Sequence, residues 1–359
     1  MTLTPRVRPA PAAVLLAALL AGACASDPFA GPPAVDRPSS PDEPHLRNFR
    51  QLTFGGDNAE AYWSWGQDRI VFQMRGRKGV PEDQIFAMRV NGADETLVST
   101  GRGRTTCAYF LPGDREIVYA STHHLGDEAP EAPPATPGKY TWPLFDYDIY
   151  RADADGGNLR PLTRSPSYDA APPVGPDGTI VFTSARDGDL EIYTMAADGS
   201  DVRRLTHTRG YDGGPFFSPD GTKIVYRANH PDTDEEYAEY KALLDSGRIQ
   251  PTRMDVWVMD ADGSNQRQVT RLPGANWAPY FHPDGERIIF ASNHADPRGR
   301  NFDLYMINVD GTGLVQITSS PEFDAFPMFS WDGRHLIWCS NRHAENPRDT
   351  NVFVAEWVE

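Results

Sequence analysis

Six oxygen-bearing side chains recur at matched positions along the chain, and together they could bind a cation. Each lies nine residues before the glycine, or its counterpart, of a tight turn. The six are Asn58, Thr105, Asp169, Asp212, Asn276 and Asp324. Carboxylate and amide oxygens are the ligands that hard cations such as calcium prefer, so their convergence would create a divalent-cation site. The alternative is that each side chain caps a local turn through backbone hydrogen bonds.

A second matched set is rich in histidine and arginine. Its members lie six residues after the first Ile or Leu of a recurrent apolar run, at Gly76, His123, Arg186, His230, His294 and Arg342. The arginines could recognise an anionic group, because a guanidinium binds a carboxylate through two parallel hydrogen bonds. The histidines could hold a transition metal through neutral imidazoles. The remaining alternative is a hydrogen bond within each residue's own loop.

Aromatic residues flank the first set. Tyr168, Tyr211, Trp277 and Phe323 each precede or follow one of its members. Such rings suit sugar stacking or a protein-binding hot spot, and packing between neighbouring repeats is the alternative. We expect a ligand or a partner to bind at these rings and at Arg186 and Arg342. We expect the same of Tyr237 and Tyr240, which lie in a segment with helical spacing.

The elements that must position these residues are short strands. Between residues 48 and 359, apolar and aromatic runs such as Ile224-Val225-Tyr226 alternate with turns such as Asp220-Gly221. Six units of four strands predict an all-β, six-bladed propeller. The last unit lacks its fourth strand, and residues 49–53 supply one at the front of the chain. We expect this N-terminal strand to close the last blade, and an open solenoid is the alternative.

The repeat motifs resemble the WD40-like propeller repeats of the TolB family. The matching segments are F-S-P-D-G, I-V-F/Y, D-I-Y-x-M-x-x-D-G and Q-L-T, and they cover essentially everything from residue 48 onward. The resemblance implies a propeller that works in the periplasm and can hold a cation in its central channel. The chain departs from TolB in having only a short linker where that protein carries an α/β domain, so a role in a Tol complex does not carry over directly.

The fold and its looped face also resemble those of oligogalacturonate lyase, a propeller that uses histidine-bound metal and basic residues on an acidic sugar. On this resemblance, His123, His230 and His294 would hold the metal, and Arg186 or Arg342 would bind the uronate. Only the general architecture supports this second interpretation, because the motif residues of that family do not align with this chain.

Two insertions interrupt the repeat between second and third strands. Residues 125–145 are Pro-rich, and their aromatic end could attach to the surface. Residues 231–253 contain DEEYAEYKALLDS, whose early acids and helical spacing predict a short helix from Asp234 to Ser246. We expect both insertions to lie on one face of the propeller, where binding usually occurs.

The N-terminus reads as an export signal followed by a tether. Residues 1–23 carry Arg6 and Arg8 before an apolar run too short to span a bilayer, and small residues then precede Cys24. This pattern predicts acylation of Cys24 as in a bacterial lipoprotein. The alternative is ordinary signal cleavage with Cys24 incidental. The Pro-rich and acidic residues 24–47 predict a disordered tether ahead of a propeller over 48–359.

Composition narrows the possible partners. The formal net charge of −16 argues against nucleic acid and against binding to anionic lipid surfaces, and it is compatible with divalent cations or basic proteins. Cys107 and Cys339 fall in blades that are not neighbours, so we expect two small buried residues rather than a disulfide. No nucleophile elbow, P-loop or Rossmann motif occurs.

These observations predict a non-enzymatic binding protein in the periplasm or at the outer membrane. We expect it to engage an envelope protein or polysaccharide through its looped face. Contact with the membrane would run only through the lipid anchor. No cofactor is required by this interpretation beyond the channel cation considered above. The alternative is a metal-dependent polysaccharide lyase of the oligogalacturonate-lyase type, and a scaffold without ligand is a third possibility.

Overall fold

Tight turns and β-branched runs fold into six antiparallel sheets, which form the blades of a propeller as the repeat predicts. The computed structural model describes residues 33–359. From the central channel outwards, the strands of blade 1 are Asp57–Trp63, Arg69–Arg75, Gln84–Arg89 and Thr96–Leu97, and those of blade 2 are Thr105–Phe110, Glu116–Ser121, Asp148–Asp153 and Arg160–Pro161. In the same order, blade 3 contains Asp169–Ala170, Ile180–Ser184, Glu191–Met195 and Arg203–Arg204, and blade 4 contains Tyr211–Phe217, Lys223–Asn229, Asp255–Asp260 and Arg267–Gln268. Blade 5 contains Asn276–Phe281, Arg287–Ser292, Asp303–Asn308 and Val315–Gln316, and blade 6 contains Asp324–Phe329, His335–Ser340, Asn351–Trp357, Leu46–Gln51 and Val35–Asp36.

The N-terminal strand closes the last blade, as predicted. Leu46–Gln51 pairs antiparallel with Asn351–Trp357, with Gln51 opposite Phe353. The Leu52 amide then donates to the Val352 carbonyl at 2.8 Å. The ring therefore closes through backbone hydrogen bonds, and blade 6 has no unpaired edge where the first and last repeats meet.

The recurrent Ser or Thr after each fourth strand has a structural role within its blade. In all six blades its hydroxyl accepts a hydrogen bond from an amide of the third strand, at 2.8–3.0 Å. In blade 4, for example, Thr270 accepts from Val256. Five of these residues are buried and Ser99 is half-buried, and each hydroxyl satisfies an amide that a short outer strand cannot reach. This explains why the L-T motif recurs.

The segment ahead of the closing strand packs more closely than its composition indicates. Val35–Asp36 pairs with Leu46–Gln51 as a fifth strand of blade 6. Glu43 is buried, and its two oxygens accept hydrogen bonds from the Arg342 guanidinium at 3.1 Å each. The Pro-rich composition of this segment correctly indicates that it buries little apolar surface. Composition cannot predict that a single carboxylate, Glu43, pairs with a buried arginine. Val35–Asp36 and Glu43 therefore contact the propeller, within the segment 24–47 for which the sequence predicts a disordered tether.

The two insertions meet each other on one face. Asp234–Asp245 is the predicted helix, and Thr233 caps it by accepting a hydrogen bond from the Glu236 amide. Trp142–Pro143 of the first insertion pairs with Arg248–Ile249 of the second in a two-stranded sheet. A short 3₁₀ helix, His123–Leu125, starts the first insertion.

The predicted leader (1–23), Cys24 and the start of the tether lie outside the described residues. Within residues 33–359, no helix has the length and apolar character needed to cross a membrane. Cys107 and Cys339 are both buried and unpaired.

Candidate functional site

The innermost strands and the two insertions enclose one large cavity. Its volume is about 1400 Å³, and all six blades and both insertions contribute to its lining. At the rim, side chains such as Tyr140, Arg298 and Arg348 are exposed, so the cavity opens on the looped face. This is more than the volume of a typical pocket for a small molecule, so it could hold several rings or a short chain segment.

The floor of the cavity is built from one repeat position. Each innermost strand contains, or in blade 3 is followed by, a residue with left-handed backbone at this position, with φ between +51° and +57°. The six floor residues are Glu60, Cys107, Ala171, Gly214, Ala278 and Phe326, and all of them line the cavity. In every blade except blade 3, the pairing with the second strand shifts register at this position. The recurrent bulge turns these residues towards the channel.

Aromatic rings lie two residues further along the same strands and pack across the channel. Tyr62 and Tyr109 are stacked, with ring centres 4.5 Å apart. Phe216 contacts both at 5.6 and 5.7 Å, and it also contacts Tyr280 at 5.3 Å. These rings support the floor from below and narrow the channel at that level.

Aromatic residues also form the wall and the roof. All four predicted rings, Tyr168, Tyr211, Trp277 and Phe323, line the cavity. Trp142 comes down from the first insertion to meet Trp277 edge-on, with ring centres 5.3 Å apart. The Trp277 indole nitrogen is buried and has no hydrogen-bond partner within residues 33–359.

Glu60 and Arg227 bring opposite charges to the floor. The Glu60 carboxylate accepts a hydrogen bond from the Tyr62 hydroxyl at 3.2 Å, and burial raises the pKa of Glu60. Arg227 donates from Nε to the Tyr211 hydroxyl at 3.0 Å and lies over the Trp142 ring, 5.6 Å from its centre. Burial acts to lower the pKa of Arg227, but Tyr211 and Glu60 outweigh it and the pKa is raised. The guanidinium therefore keeps its charge.

A second charged group lies on the wall at blades 1 and 2. The Asp83 carboxylate lies 3.6 Å from Arg75 and 3.5 Å from Arg104, and Arg75 also pairs with Asp57 at 2.7 Å. Burial raises the pKa of Asp83 to about 6, although the two arginines act to lower it. These basic side chains are already matched by carboxylates.

The first matched set does not converge on the channel. All six residues are buried inside their own blades, and none of them lines the cavity. Asp169 accepts hydrogen bonds from Ser184 and Arg186, and Asp324 accepts them from Arg342 and Trp338. The two amides, Asn58 and Asn276, donate to backbone carbonyls, and the Thr105 hydroxyl donates to another. The expectation of a channel cation on these ligands does not fit, because the six side chains lie in separate blades, away from the cavity. Most of their oxygens also accept hydrogen bonds from nearby groups, and Oδ2 of Asp212 is an exception within residues 33–359.

The second matched set pairs with the first instead of forming a site of its own. His230 bonds Asp212 at 2.9 Å, and Arg186 and Arg342 bond Asp169 and Asp324 at 2.9 and 2.6 Å. His123 and His294 each bond a serine of their own blade, Ser121 and Ser292. Each histidine also contacts an aromatic ring of the third strand in its own blade.

The three histidines therefore lie in blades 2, 4 and 5 with separate partners. Within the described part of the chain, no group of three or more His, Cys, Asp or Glu side chains could hold a metal ion. The donor set needed for lyase chemistry at His123, His230 and His294 is not assembled.

The two helix tyrosines have a structural place. The Tyr240 hydroxyl donates to Asp189 at 2.5 Å and packs with Tyr211 and Ile249. Tyr237 lies beside it, 6.2 Å between ring centres. Neither lines the cavity. They hold the helix behind the Tyr211 wall, so their influence on binding would be indirect.

Sequence reasoning missed Glu60 and Arg227. Both occupy repeat positions that are small, apolar or neutral in every other blade. One signal was present, since only the fourth unit has two successive glycines, Gly213 and Gly214, in its innermost strand. A glycine pair there marks a place where another side chain crosses the strand.

Comparisons with known proteins agree with the fold. The family model described as the TolB beta propeller domain matches residues 145–250 and 248–347. Among solved structures, the chain is similar to the TolB candidate from Agrobacterium tumefaciens, at 20% identity with a TM-score of 0.56, over 85% of this chain and 91% of that one. No match is found among curated proteins.

Two further structures share the fold at lower identity. TolB from Acinetobacter baumannii matches at 16% identity with a TM-score of 0.52, over 84% of this chain and 64% of that one. An oligogalacturonate lyase in complex with manganese matches at 12% identity with a TM-score of 0.52, over 91% of this chain and 97% of that one. The two family-model matches together span more than half of the chain, and the protein therefore belongs to the TolB β-propeller domain family.

Proposed function

We propose that this protein is a non-enzymatic binding protein of the cell envelope, which engages an envelope protein or polysaccharide through its looped face. The aromatic cavity supports this proposal most. The two paired insertions form a roof over it, and the cavity opens to solvent at their rim. Aromatic side chains bury much area with little loss of conformational freedom, so they dominate binding at such surfaces.

The N-terminal pattern and the family support an envelope location. A leader at 1–23 and acylation at Cys24 would place the propeller in the periplasm, attached to a membrane through lipid. Mass spectrometry of the mature N-terminus tests this directly. A diacylglyceryl-modified Cys24 that disappears in Cys24→Ser is expected, and an unmodified N-terminus elsewhere would show simple secretion.

The binding role is tested by capture of envelope components on the immobilised protein. Tyr168→Ala and Phe323→Ala remove half-buried rings from the cavity wall, and each should weaken capture by roughly tenfold if the ring is a hot spot. Trp331→Ala is the matched control, because that half-buried ring stacks on Trp65 away from the large cavity. Equal capture by all three variants, with thermal unfolding confirming that each is folded, would contradict the proposal.

A further inference from the structure

The charge of the cavity is opposite to that of the chain. Seven basic residues and three acidic residues line it, although the whole chain carries a formal net charge of −16. Four of the arginines, Arg227, Arg298, Arg300 and Arg348, form no ion pair with any carboxylate of residues 33–359. A concave, low-dielectric surface of one sign concentrates its field and attracts ligands of the other sign.

Arg227 reaches the cavity by an unusual route. It lies on the second strand of blade 4, opposite Gly213 of the innermost strand, and its side chain crosses that strand to the channel. A methyl group on Gly214 would lie 2.9 Å from the guanidinium carbon, and one on Gly213 would lie 2.6 Å from the Tyr211 hydroxyl oxygen. The glycine pair is thus a window that admits both side chains. The five equivalent positions in the other blades hold Gln73, Ala120, Thr183, Ala291 and Cys339, none of them charged.

We propose that the cavity is a receptor for a carboxylate-bearing ligand, with Arg227 as its deep anchor and the aromatic wall as the seat of its ring or apolar body. This deepens the proposed function, on which it rests, by naming the chemistry of the group that is bound. Arg227 uses Nε on Tyr211, which leaves the two terminal nitrogens for a planar, two-oxygen acceptor. The arginines at the rim would guide the anion inwards.

Two observations narrow the ligand further. Glu60 lines the same floor as Arg227, so an ionised Glu60 would repel a dianion such as phosphate more strongly than a monocarboxylate. The buried Trp277 nitrogen, in a residue that is 7% exposed, is a donor without a partner among the described residues, and a polar atom on the ligand body could accept from it.

The test uses paired probes that differ only in the carboxylate. N-acetylphenylalanine, indole-3-acetate and galacturonate are each titrated against the full-length protein beside their uncharged amides, and inorganic phosphate is titrated alone. We expect at least one acid to bind about tenfold or more tightly than its amide, as for a charge-assisted pair of hydrogen bonds. A tetrapeptide ending in phenylalanine, as free acid and as amide, shows whether the carboxylate belongs to a small molecule or to a chain end.

Arg227→Gln should abolish the preference for acid over amide. Arg334→Gln is the matched control, since that arginine is 80% exposed and does not line the cavity. Tyr211→Phe, which keeps the ring and removes the hydroxyl that orients Arg227, should reduce the preference.

The proposal is overturned if no acid is preferred over its amide, if Arg227→Gln retains the preference, or if phosphate binds as tightly as the best acid. These outcomes are separate from failure of the proposed function. Capture of an envelope partner without any carboxylate preference would remove this inference alone. A carboxylate preference with no captured partner would remove the envelope role alone.

Discussion

Five of the six floor residues hold a left-handed backbone with a side chain that normally avoids it. Only Gly214 is a glycine, whereas Ala171 and Ala278 have the same backbone with a Cβ atom. A left-handed conformation costs roughly 1–2 kcal/mol for a residue other than glycine. The propeller sustains this cost at several positions because the bulge turns those residues towards the cavity.

A reciprocal pair of substitutions tests this interpretation at one repeat position. Gly214→Ala should lower the free energy of unfolding by about 1–2 kcal/mol, because it adds backbone strain and places a methyl group in the space of Arg227. Ala278→Gly, at the bulge of blade 5, should be neutral or stabilising by up to about 1 kcal/mol. Denaturant titration of both variants measures the difference. Two changes of the same sign and size would show that the bulge is not strained.

The raised pKa of Asp303 predicts that the free energy of unfolding depends on pH. Its pKa is raised to about 7 by burial and by the carboxylates of Asp324 and Glu43, and its Oδ1 has no partner within the described residues. The folded state therefore keeps a proton that the unfolded chain releases between about pH 4 and pH 7. This group's contribution to stability is present at low pH and is lost as the pH rises through that range.

Asp303→Asn cannot ionise and should escape this loss. Its advantage in the free energy of unfolding over the unchanged protein should grow from pH 4 to pH 8 and reach on the order of 1 kcal/mol, measured by denaturant titration. Asp262→Asn is the control, because hydrogen bonds from Ser264 lower the pKa of that exposed carboxylate. A constant difference between Asp303→Asn and the unchanged protein at every pH would contradict the assignment.

At the level of elements, the roof depends on contacts between two insertions far apart in the chain. Arg248 is buried and donates to the Thr141 hydroxyl at 2.6 Å, the Thr141 carbonyl at 2.8 Å and the Pro133 carbonyl at 2.6 Å. One side chain of the second insertion thereby fixes the backbone of the first. The pairing of Trp142–Pro143 with Arg248–Ile249 then holds the roof over the cavity.

Arg248→Met should loosen the roof without unfolding the propeller. Amide exchange in residues 141–145 should quicken by about tenfold or more, because the carbonyls that Arg248 satisfied lose their donor. The unfolding temperature should change little, since the blades keep their own cores. Arg253→Met, an exposed change in the same insertion, is the control. Unchanged exchange in Arg248→Met would mean that the roof is held by other contacts.

The elements were largely predictable because their signals are local. Turn residues, β-branched runs and the recurrent L-T motif specify strands, and the acids after Thr233 specify the helix. The site was less predictable. Counting residues placed Asp169 and Asp212 near the channel, but the left-handed backbone turns the floor residues inwards and leaves these carboxylates in the blade. The pairing of the two insertions depends on contacts between segments that are distant in the chain, and the path of the Arg227 side chain depends on contacts between neighbouring strands. The spacing of the repeats predicts neither.

The whole molecule combines a net negative charge with a basic, aromatic cavity. The Glu43 pair with Arg342 and the closing strand hold the ring together, so the six floor residues keep their positions around one axis. A rigid ring with a roof over its cavity is suited to binding a ligand in a preformed site, without movement of the blades. The net charge of −16 is then a property of the surface, not a guide to the site.

Capture of envelope components with the mouth of the cavity blocked tests most directly whether the cavity is the binding site. Thr252 is exposed and lines the mouth, so Thr252→Cys labelled with a bulky maleimide polymer should close it. Arg334→Cys with the same label and the unmodified protein exposed to the reagent are the controls. We expect capture, and any preference for a carboxylate, to fall by about tenfold or more only in labelled Thr252→Cys. Undiminished capture by that protein would contradict the claim that the cavity is the binding site.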